Sequence, residues 1–147
     1  IPGVVTICTF VMMFTNGASP DGTYTGAAYE GIKALPWIGK KLGFILNPLF
    51  GFENPEAIAF PITSLGSVGA ALGIVPKFLA EGLIGKNEIA VFTAMGMCWS
   101  GYLSTHVAMM DALGMRKLTT KAIACHTIGG LCAGIFAHFI YVIYSII

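Results

Sequence analysis

Residues 53–85 read ENPEAIAFPITSLGSVGAALGIVPKFLAEGLIG, an apolar stretch that three prolines and a central group of glycines interrupt. A helix that only spans a membrane needs no such interruptions. In hydrocarbon, irregular backbone persists only where protein buries it or where it lines a watery cavity, so broken apolar segments are typical of solute or ion sites. The stretch therefore predicts a binding site within a membrane protein, although it does not identify the ligand.

Two arrangements of residues 53–85 fit this pattern. In the first, two half-helices joined by a turn rich in serine and glycine form a re-entrant hairpin, which enters and leaves the membrane on one side. In the second, a single tilted helix of about 25 residues crosses the membrane with kinks at prolines 61 and 76. The cluster of Gly66, Gly69 and Gly73 lies midway, where a turn would be, and it favours the hairpin.

Polar residues mark the start and the middle of this stretch. Asn54 is predicted to cap a helix that begins at Pro55, an arrangement in which the proline loses no hydrogen bond and Glu56 sits in the favourable first turn. Three more polar side chains are expected near the tip of the hairpin: Thr63, Ser64 and Ser67.

Composition places the whole chain in a membrane. Its 147 residues are 56% hydrophobic and 10% charged, with a mean hydropathy of +0.80, whereas soluble domains carry roughly 25% charged residues. A net charge of +1 offers no basic surface for a nucleic acid polymer. The four cysteines lie in apolar runs without a CxxC pair, which supports neither a zinc site nor a disulfide framework. We expect a single, all-α membrane domain over residues 1–147.

The first third of the chain divides into three segments. Residues 1–14 are apolar but shorter than the roughly 20 residues of a full span, so we expect the end of a transmembrane helix whose N-terminal part is missing. Residues 15–26 have the composition of a loop. Residues 27–52 mix apolar and charged positions, which predicts amphipathic helices at the membrane interface, broken at Pro36 and Pro48.

Residues 87–114, NEIAVFTAMGMCWSGYLSTHVAMMDALG, read as a second broken transmembrane helix. Its middle is unusually polar, which predicts a break at Ser100–His106, and Gly96 and Gly101 weaken the helix on either side. Polar groups at membrane depth usually face a bundle interior or a cavity, which makes Ser100, Ser104 and His106 candidate site residues. The alternative is that the hydroxyls bond their own backbone and that His106 bonds a neighbouring helix.

Residues 119–147 form the clearest predicted transmembrane helix. The loop before it carries Arg116 and Lys117, so the positive-inside rule makes that loop cytoplasmic. Within the helix, Gly130 and Gly134 offer a face for close helix packing. For His126 and His138, hydrogen bonds between helices are the favoured interpretation, because nothing one turn away completes a site.

The run SLGSVGAALG, the segment MGMCWSGYLSTHVAMMDALG and the closing glycine-bearing helix together resemble the nucleoside-recognition, or Gate domain, family of bacterial membrane proteins. That family includes the paired sporulation-associated membrane proteins. The resemblance covers about residues 52–144, and it implies a multi-pass protein of the bacterial inner membrane.

A narrower resemblance concerns the start of the hairpin. Concentrative nucleoside transporters carry a Gly-Gln-Thr-Glu-Ala stretch at a re-entrant hairpin, and its Gln and Glu contact the nucleoside. The corresponding residues here are Glu53-Asn54-Pro55-Glu56-Ala57. The resemblance implies that Asn54 and Glu56 take these two roles, although proline replaces the threonine and Glu53 replaces the leading glycine.

Two classes of function follow. The first is a transport subunit or half-carrier for a small polar solute, such as a nucleoside or nucleobase, with Na⁺ or a proton as coupling ion. In it, the turn at Ser64–Gly69 meets the polar break at Ser100–His106 to hold the solute, and Asn54 and Glu56 lie at the mouth of the path. The second is a structural subunit of a membrane complex.

Because the chain offers few walls for an enclosed path, we expect a homo-oligomer or pairing with a related membrane subunit. No enzyme is expected, since a nucleophile beside a base is not apparent. The predicted substrate contacts are Asn54, Glu56, Thr63, Ser64, Ser67, Ser100, Ser104 and His106.

Overall fold

The part of the chain that the structure describes is mostly helical. This computed structural model describes residues 2–18, 21–26 and 30–147, and the side chains of residues 2–4 and 102–104 lie outside that description. No strand occurs among these residues, so the prediction of an all-α fold is confirmed. The helices are α1 Pro2–Thr15, α2 Ala34–Phe50, α3 Ala59–Gly66, α4 Val68–Ala80, α5 Lys86–Cys98, α6 Tyr102–Ala112 and α7 Thr119–Ile146, with 3-10 turns at Pro55–Ile58 and Arg116–Leu118.

Residues 53–85 form a helical hairpin. Helix α3 ends at Gly66, Ser67 is extended with φ of −161° and ψ of 113°, and α4 starts at Val68. At the open end, the side-chain amide of Asn54 donates to the Leu83 carbonyl at 2.8 Å, across 29 residues. A continuous helix would hold these two residues about 44 Å apart. The chain therefore doubles back at Ser67 and does not continue as one kinked helix.

A single helix, α2, occupies the region in which two interfacial pieces were predicted, and residues 27–29 of that region lie outside the description. Pro36 falls in the first turn of α2, where a missing N–H leaves no intrahelical bond unmade. Pro48 falls in the last turn, and α2 ends two residues later at Phe50, followed by Gly51 with φ of 68°. Neither proline breaks the helix, so the predicted division at these positions is wrong.

The second predicted break is shorter than expected. Helix α5 ends at Cys98 and α6 begins at Tyr102, so the irregular residues are 99–101 and include the left-handed Gly101, with φ of 73°. The predicted break at Ser100–His106 is therefore wrong for residues 102–106, which are helical. Gly96 lies inside α5, where an added Cβ would come within 3.5 Å of Phe60 and Val68. The bend of the hairpin thus lies beside the last turn of α5.

Helix α7 packs closely along α5 through its two glycines. Gly130 and Gly134 are its buried residues among those described. An added Cβ at Gly130 would overlap the Trp99 indole, and one at Gly134 would lie 2.8 Å from Met95 Cγ. Stacked Phe60 and Phe92 rings, with centroids 4.1 Å apart, join the hairpin to α5 as well. The core is therefore built around α5.

One helical stretch within the described residues, Arg116–Ile146, is long and apolar enough to cross a membrane. The 28 residues of α7 extend about 42 Å, which exceeds a hydrocarbon core of about 30 Å. Its outward side chains are largely apolar and exposed, among them Phe136, Ile140 and Ile143. Shorter apolar helices are present at Val5–Thr15 and Val68–Ala80.

Candidate functional site

The open end of the hairpin is closed by hydrogen bonds of buried and half-buried side chains. Asn54 is the residue before the 3-10 turn at Pro55, as predicted, but its side chain makes no capping bond and reaches Leu83 instead. Just beyond Leu83, the Gly85 N–H donates to Glu88 Oε2 at 2.9 Å. Glu88 is only 6% exposed, so a carboxylate lies close to the junction of the hairpin with α5.

Asn87 ties this junction to two other elements. Its Nδ2 donates to the carbonyls of Phe50 and Gly51 at 2.9 and 3.2 Å, at the end of α2. Its Oδ1 lies 2.8 Å from Nδ1 of His138 on α7. Because the Asn87 amide nitrogen points at carbonyls, its oxygen is the acceptor, and His138 Nδ1 carries the proton. Asn87 therefore fixes the relative positions of α2, α5 and α7.

A polar cavity of about 340 Å³ opens beside these residues, and we call it the base cavity. Side chains from the hairpin, from α5 and from α7 line it: Glu53, Asn54, Lys86, Asn87, Glu88 and Tyr141. Within the described residues, no hydrogen bond or ion pair uses the side chains of Glu53, Lys86 or Tyr141. Asn54 keeps Oδ1 and one N–H for a further partner. The cavity thus presents donors and acceptors that the fold itself does not use.

Glu56 lines a different cavity, of about 390 Å³, together with Lys33, Lys77 and Glu81. There Lys77 donates to Asn16 Oδ1 at 3.2 Å and lies 3.7 Å from Glu81. Asn54 and Glu56 therefore do not share the walls of one cavity, contrary to the expectation that both lie at the mouth of one solute path. Of the two, Asn54 is the one that lines the base cavity.

The polar residues near the bend are largely occupied by their own helices. The Thr63 hydroxyl donates to the Ala59 carbonyl at 2.5 Å. Ser67 Oγ accepts from the Ala70 N–H at 3.2 Å and caps α4. Ser64 differs, because its side chain is 1% exposed and its Oγ has no hydrogen-bond partner among the described residues. One of the three hydroxyls at the bend is therefore left for another partner.

The candidate site residues of the second broken helix also lie in different surroundings. Ser100 is exposed at the break, and the side chain of Ser104 lies outside the described residues. His106 Nε2 is 2.9 Å from Nδ1 of His126 on α7. This contact agrees with the interpretation of interhelical bonding for both histidines. Their pairing was missed, because a partner 20 residues away on another helix leaves no local signal.

The eight predicted contacts thus fall in three regions: the open end of the hairpin, its bend, and the second break together with α6. Sequence reasoning missed Lys86, Asn87, Glu88 and Tyr141 as neighbours of Asn54. A polar group at the first turn of an apolar helix, as in Lys-Asn-Glu at the start of α5, is the signal that points to three of them.

Comparisons of the chain with protein-family models, with curated proteins and with solved structures find no match. Within the described residues, no group of three or more His, Cys, Asp or Glu side chains is arranged to hold a metal ion. Function is therefore inferred from the chemistry and geometry of the chain itself.

Proposed function

We propose that this chain is a membrane transport subunit, a half-carrier that binds a small polar solute of nucleoside or nucleobase type in the base cavity. The observation that carries the proposal is the convergence of Asn54, Lys86 and Tyr141, from three separate elements, on one cavity. Its volume of about 340 Å³ falls in the 300–1,000 Å³ range of small-molecule sites.

The chemistry of the cavity suits a ligand with alternating donors and acceptors. Asn54 offers both an amide N–H and a carbonyl oxygen, and Tyr141 offers a hydroxyl that can donate or accept. Glu53 adds a carboxylate that accepts from hydroxyl and amino groups. A nucleobase edge or a sugar ring carries complementary groups of this kind. The resemblance of residues 53–57 to the nucleoside-contacting stretch of concentrative nucleoside transporters supports the same ligand class.

Two broken helices give the fold the features of a carrier. The hairpin reverses at Ser67 and the second helix breaks at residues 99–101, with Val68 packed beside Gly96. Discontinuous helices of this kind line substrate and ion sites in secondary transporters. We place the hairpin as a re-entrant element in a bacterial inner membrane, with α7 as a span and the Arg116 loop in the cytoplasm.

A complete carrier needs a second subunit in this proposal. The exposed apolar side chains of α7 are suited to lipid or to a neighbouring copy, and a homo-oligomer or a related membrane subunit supplies the remaining walls. Na⁺ or a proton serves as coupling ion, and a carboxylate such as Glu88 or Glu53 is the natural group to bind it.

The alternative is a structural subunit without transport activity. It is favoured by the bonds of Thr63 and Ser67 to their own backbone, because these hydroxyls then stabilise the bend and need no solute. In this alternative, the groups lining the base cavity serve packing between subunits.

A thermal-shift screen separates the two functions. The purified protein in detergent is heated with and without uridine, adenosine, uracil or adenine. A ligand at one hundred times its Kd stabilises the folded state by about 2.7 kcal/mol. Tyr141→Phe should reduce the shift, and Tyr144→Phe, on the same helix but 78% exposed, should leave it unchanged. If none of the four compounds shifts the transition, the structural subunit is the better account.

A further inference from the structure

Two of the three histidines of the chain contact each other away from the base cavity. Nε2 of His106 on α6 lies 2.9 Å from Nδ1 of His126 on α7, and the rings meet edge to face with centroids 4.5 Å apart. The other nitrogen of His126 bonds the main-chain carbonyl of Cys98, at the end of α5. The pair therefore joins three helices at the second break.

The contact between His126 and the Cys98 carbonyl determines which ring nitrogens of the pair carry a proton. Because a carbonyl oxygen only accepts, Nε2 of His126 carries a proton, and Nδ1 of a neutral His126 is an acceptor. His106 Nε2–H then donates to it. One further proton on the other nitrogen of His106 leaves this bond in place and strengthens it by charge. A second proton, on His126 Nδ1, removes the acceptor and places two imidazolium cations side by side, with the facing nitrogens 2.9 Å apart.

Among residues 105–112, the part of α6 whose side chains are described, little buried surface opposes this repulsion. None of its described side chains, those of residues 105–112, is buried, and Val107 and Met109 are among the exposed ones. The helix follows Ser100 and the left-handed Gly101, which lie outside regular structure. A segment with few buried apolar contacts opens at low free energy, so the bond between His106 and α7 contributes to holding residues 105–112 in place.

Charged groups on the neighbouring elements do little to balance a doubly protonated pair. On α6, Asp111 lies 3.6 Å from Arg116. On α5, Glu88 lies at the opposite end of the helix from Cys98, and α3 carries no ionisable residue. On α7, the remaining ionisable groups before the base cavity are exposed: Lys121, Cys125 and Cys132.

We propose that the His106–His126 contact is a proton-operated latch. It holds α6 against α7 while the pair carries at most one extra proton, and it releases α6 when the second proton binds. Residues 99–101 act as the hinge, because they are the irregular link between α5 and α6. Since α6 also contacts α3, its release exposes that side of the hairpin. The latch does not depend on the proposed solute.

The fluorescence of Trp99 can be used to follow the His106–His126 contact. Trp99 is 1% exposed, and its Nε1 donates to the His126 carbonyl at 3.2 Å. The chain has two tryptophans, so a Trp37→Phe background leaves Trp99 as the single indole. Trp99 follows Cys98, whose carbonyl His126 bonds, and it belongs to the irregular residues 99–101, so release of α6 changes the surroundings of the indole. Lowering the pH from about 8 to about 5, across the range in which histidine titrates, should change Trp99 emission about two-fold.

Hydrogen exchange then measures α6 itself, as protection factors corrected for the pH dependence of intrinsic exchange. We expect protection of residues 105–112 to fall about ten-fold or more between pH 8 and pH 5. His106→Gln places a side-chain amide that does not titrate at this position: its N–H donates to Nδ1 of neutral His126, and its carbonyl oxygen accepts from Nδ1–H once His126 is protonated. Residues 105–112 should therefore stay protected at both pH values. His126→Leu removes the contact and should show low protection already at pH 8.

His138→Gln is the matched control, because it removes the remaining histidine on the same helix and should leave the response of Trp99 and α6 intact. Equal protection of α6 at the two pH values in the Trp37→Phe background would overturn the latch. A loss of protection at pH 5 that persists in His106→Gln would overturn it as well.

Discussion

Asn54 donates its side-chain amide to the Leu83 carbonyl at 2.8 Å, and this bond closes the open end of the hairpin. The same side chain lines the base cavity, where Oδ1 and one N–H remain for a ligand. Asn54 thus contributes both to the fold and to the proposed binding site. An amide does both tasks because it has two donor hydrogens and an acceptor, whereas an aspartate in its place would have no donor for Leu83.

Replacing Asn54 should therefore destabilise the protein. We expect Asn54→Ala to lower the free energy of unfolding by about 1–2 kcal/mol, because the Leu83 carbonyl loses its side-chain donor. Asn54→Asp should cost more, since a carboxylate would face that carbonyl. Thermal unfolding in detergent measures both. Glu53→Gln, at an exposed neighbouring position, is the control and should change stability by less than about 0.5 kcal/mol. Wild-type stability in both Asn54 variants would contradict the closing role of this bond.

Adjacent glycines on α7 give a sharper test of helix packing. Gly130→Ala places a methyl group against the Trp99 indole, and we expect a loss of about 1–3 kcal/mol or more from overpacking. Gly129→Ala has Cys98 Sγ as its nearest contact, at 3.9 Å, so the higher helix propensity of alanine should leave stability unchanged or raised by up to about 1 kcal/mol. Unfolding transitions of the two variants in the same detergent measure this difference in stability. Equal effects would show that α5 and α7 are not this close.

The hinge at the second break can be examined in the same way. Gly101 has φ of 73°, and an added Cβ would overlap Thr105 Oγ1. Gly114 has a similar φ of 66° with nothing within 4 Å. Each substitution by alanine carries the strain of the left-handed backbone, about 1–2 kcal/mol. The drop in unfolding free energy should be larger for Gly101→Ala, because a steric term is added. The opposite order would mean that residues 99–101 adopt another conformation.

Ser64 and Thr63 should respond in opposite directions. Ser64→Ala removes a buried hydroxyl that has no partner among the described residues, so we expect unchanged stability or a gain of up to about 1 kcal/mol. Thr63→Val removes the bond to the Ala59 carbonyl and should cost about 0.5–1.5 kcal/mol. Thermal unfolding without added solute is the measurement. A loss of more than about 1 kcal/mol in Ser64→Ala would show that its hydroxyl is bonded in the protein.

Local chemistry made the positions of the two breaks predictable. A cluster of glycines and serines at residues 64–73 indicated the reversal that falls at Ser67, and Gly101 indicated the second break. The positions of the prolines predicted helix breaks less well than the glycines and serines did. Pro36 and Pro48 predicted a division of α2, but both lie within one turn or so of a helix end, where a missing N–H or a disturbed carbonyl costs little.

Partners distant in sequence were not predictable from the same patterns. Periodicity describes one helix at a time, so it gave no sign that Asn54 meets Leu83 or that His106 meets His126. The base cavity illustrates the consequence. Its lining comes from the hairpin, α5 and α7, and only Asn54 among the eight predicted contacts is part of it. Sequence indicated a polar site beside the hairpin, whereas the assignment of its walls required the relative placement of three elements.

Equilibrium binding measures whether the base cavity binds a small polar solute. Radiolabelled uridine, adenosine, uracil and adenine are titrated against purified wild-type protein and against Tyr141→Phe and Tyr144→Phe. We predict saturable binding of at least one compound, with Kd raised about five- to thirty-fold in Tyr141→Phe by the loss of one hydrogen bond. Tyr144→Phe should bind as the wild type does. Absence of saturable binding for all four compounds, or equal Kd values in the three proteins, would contradict the account.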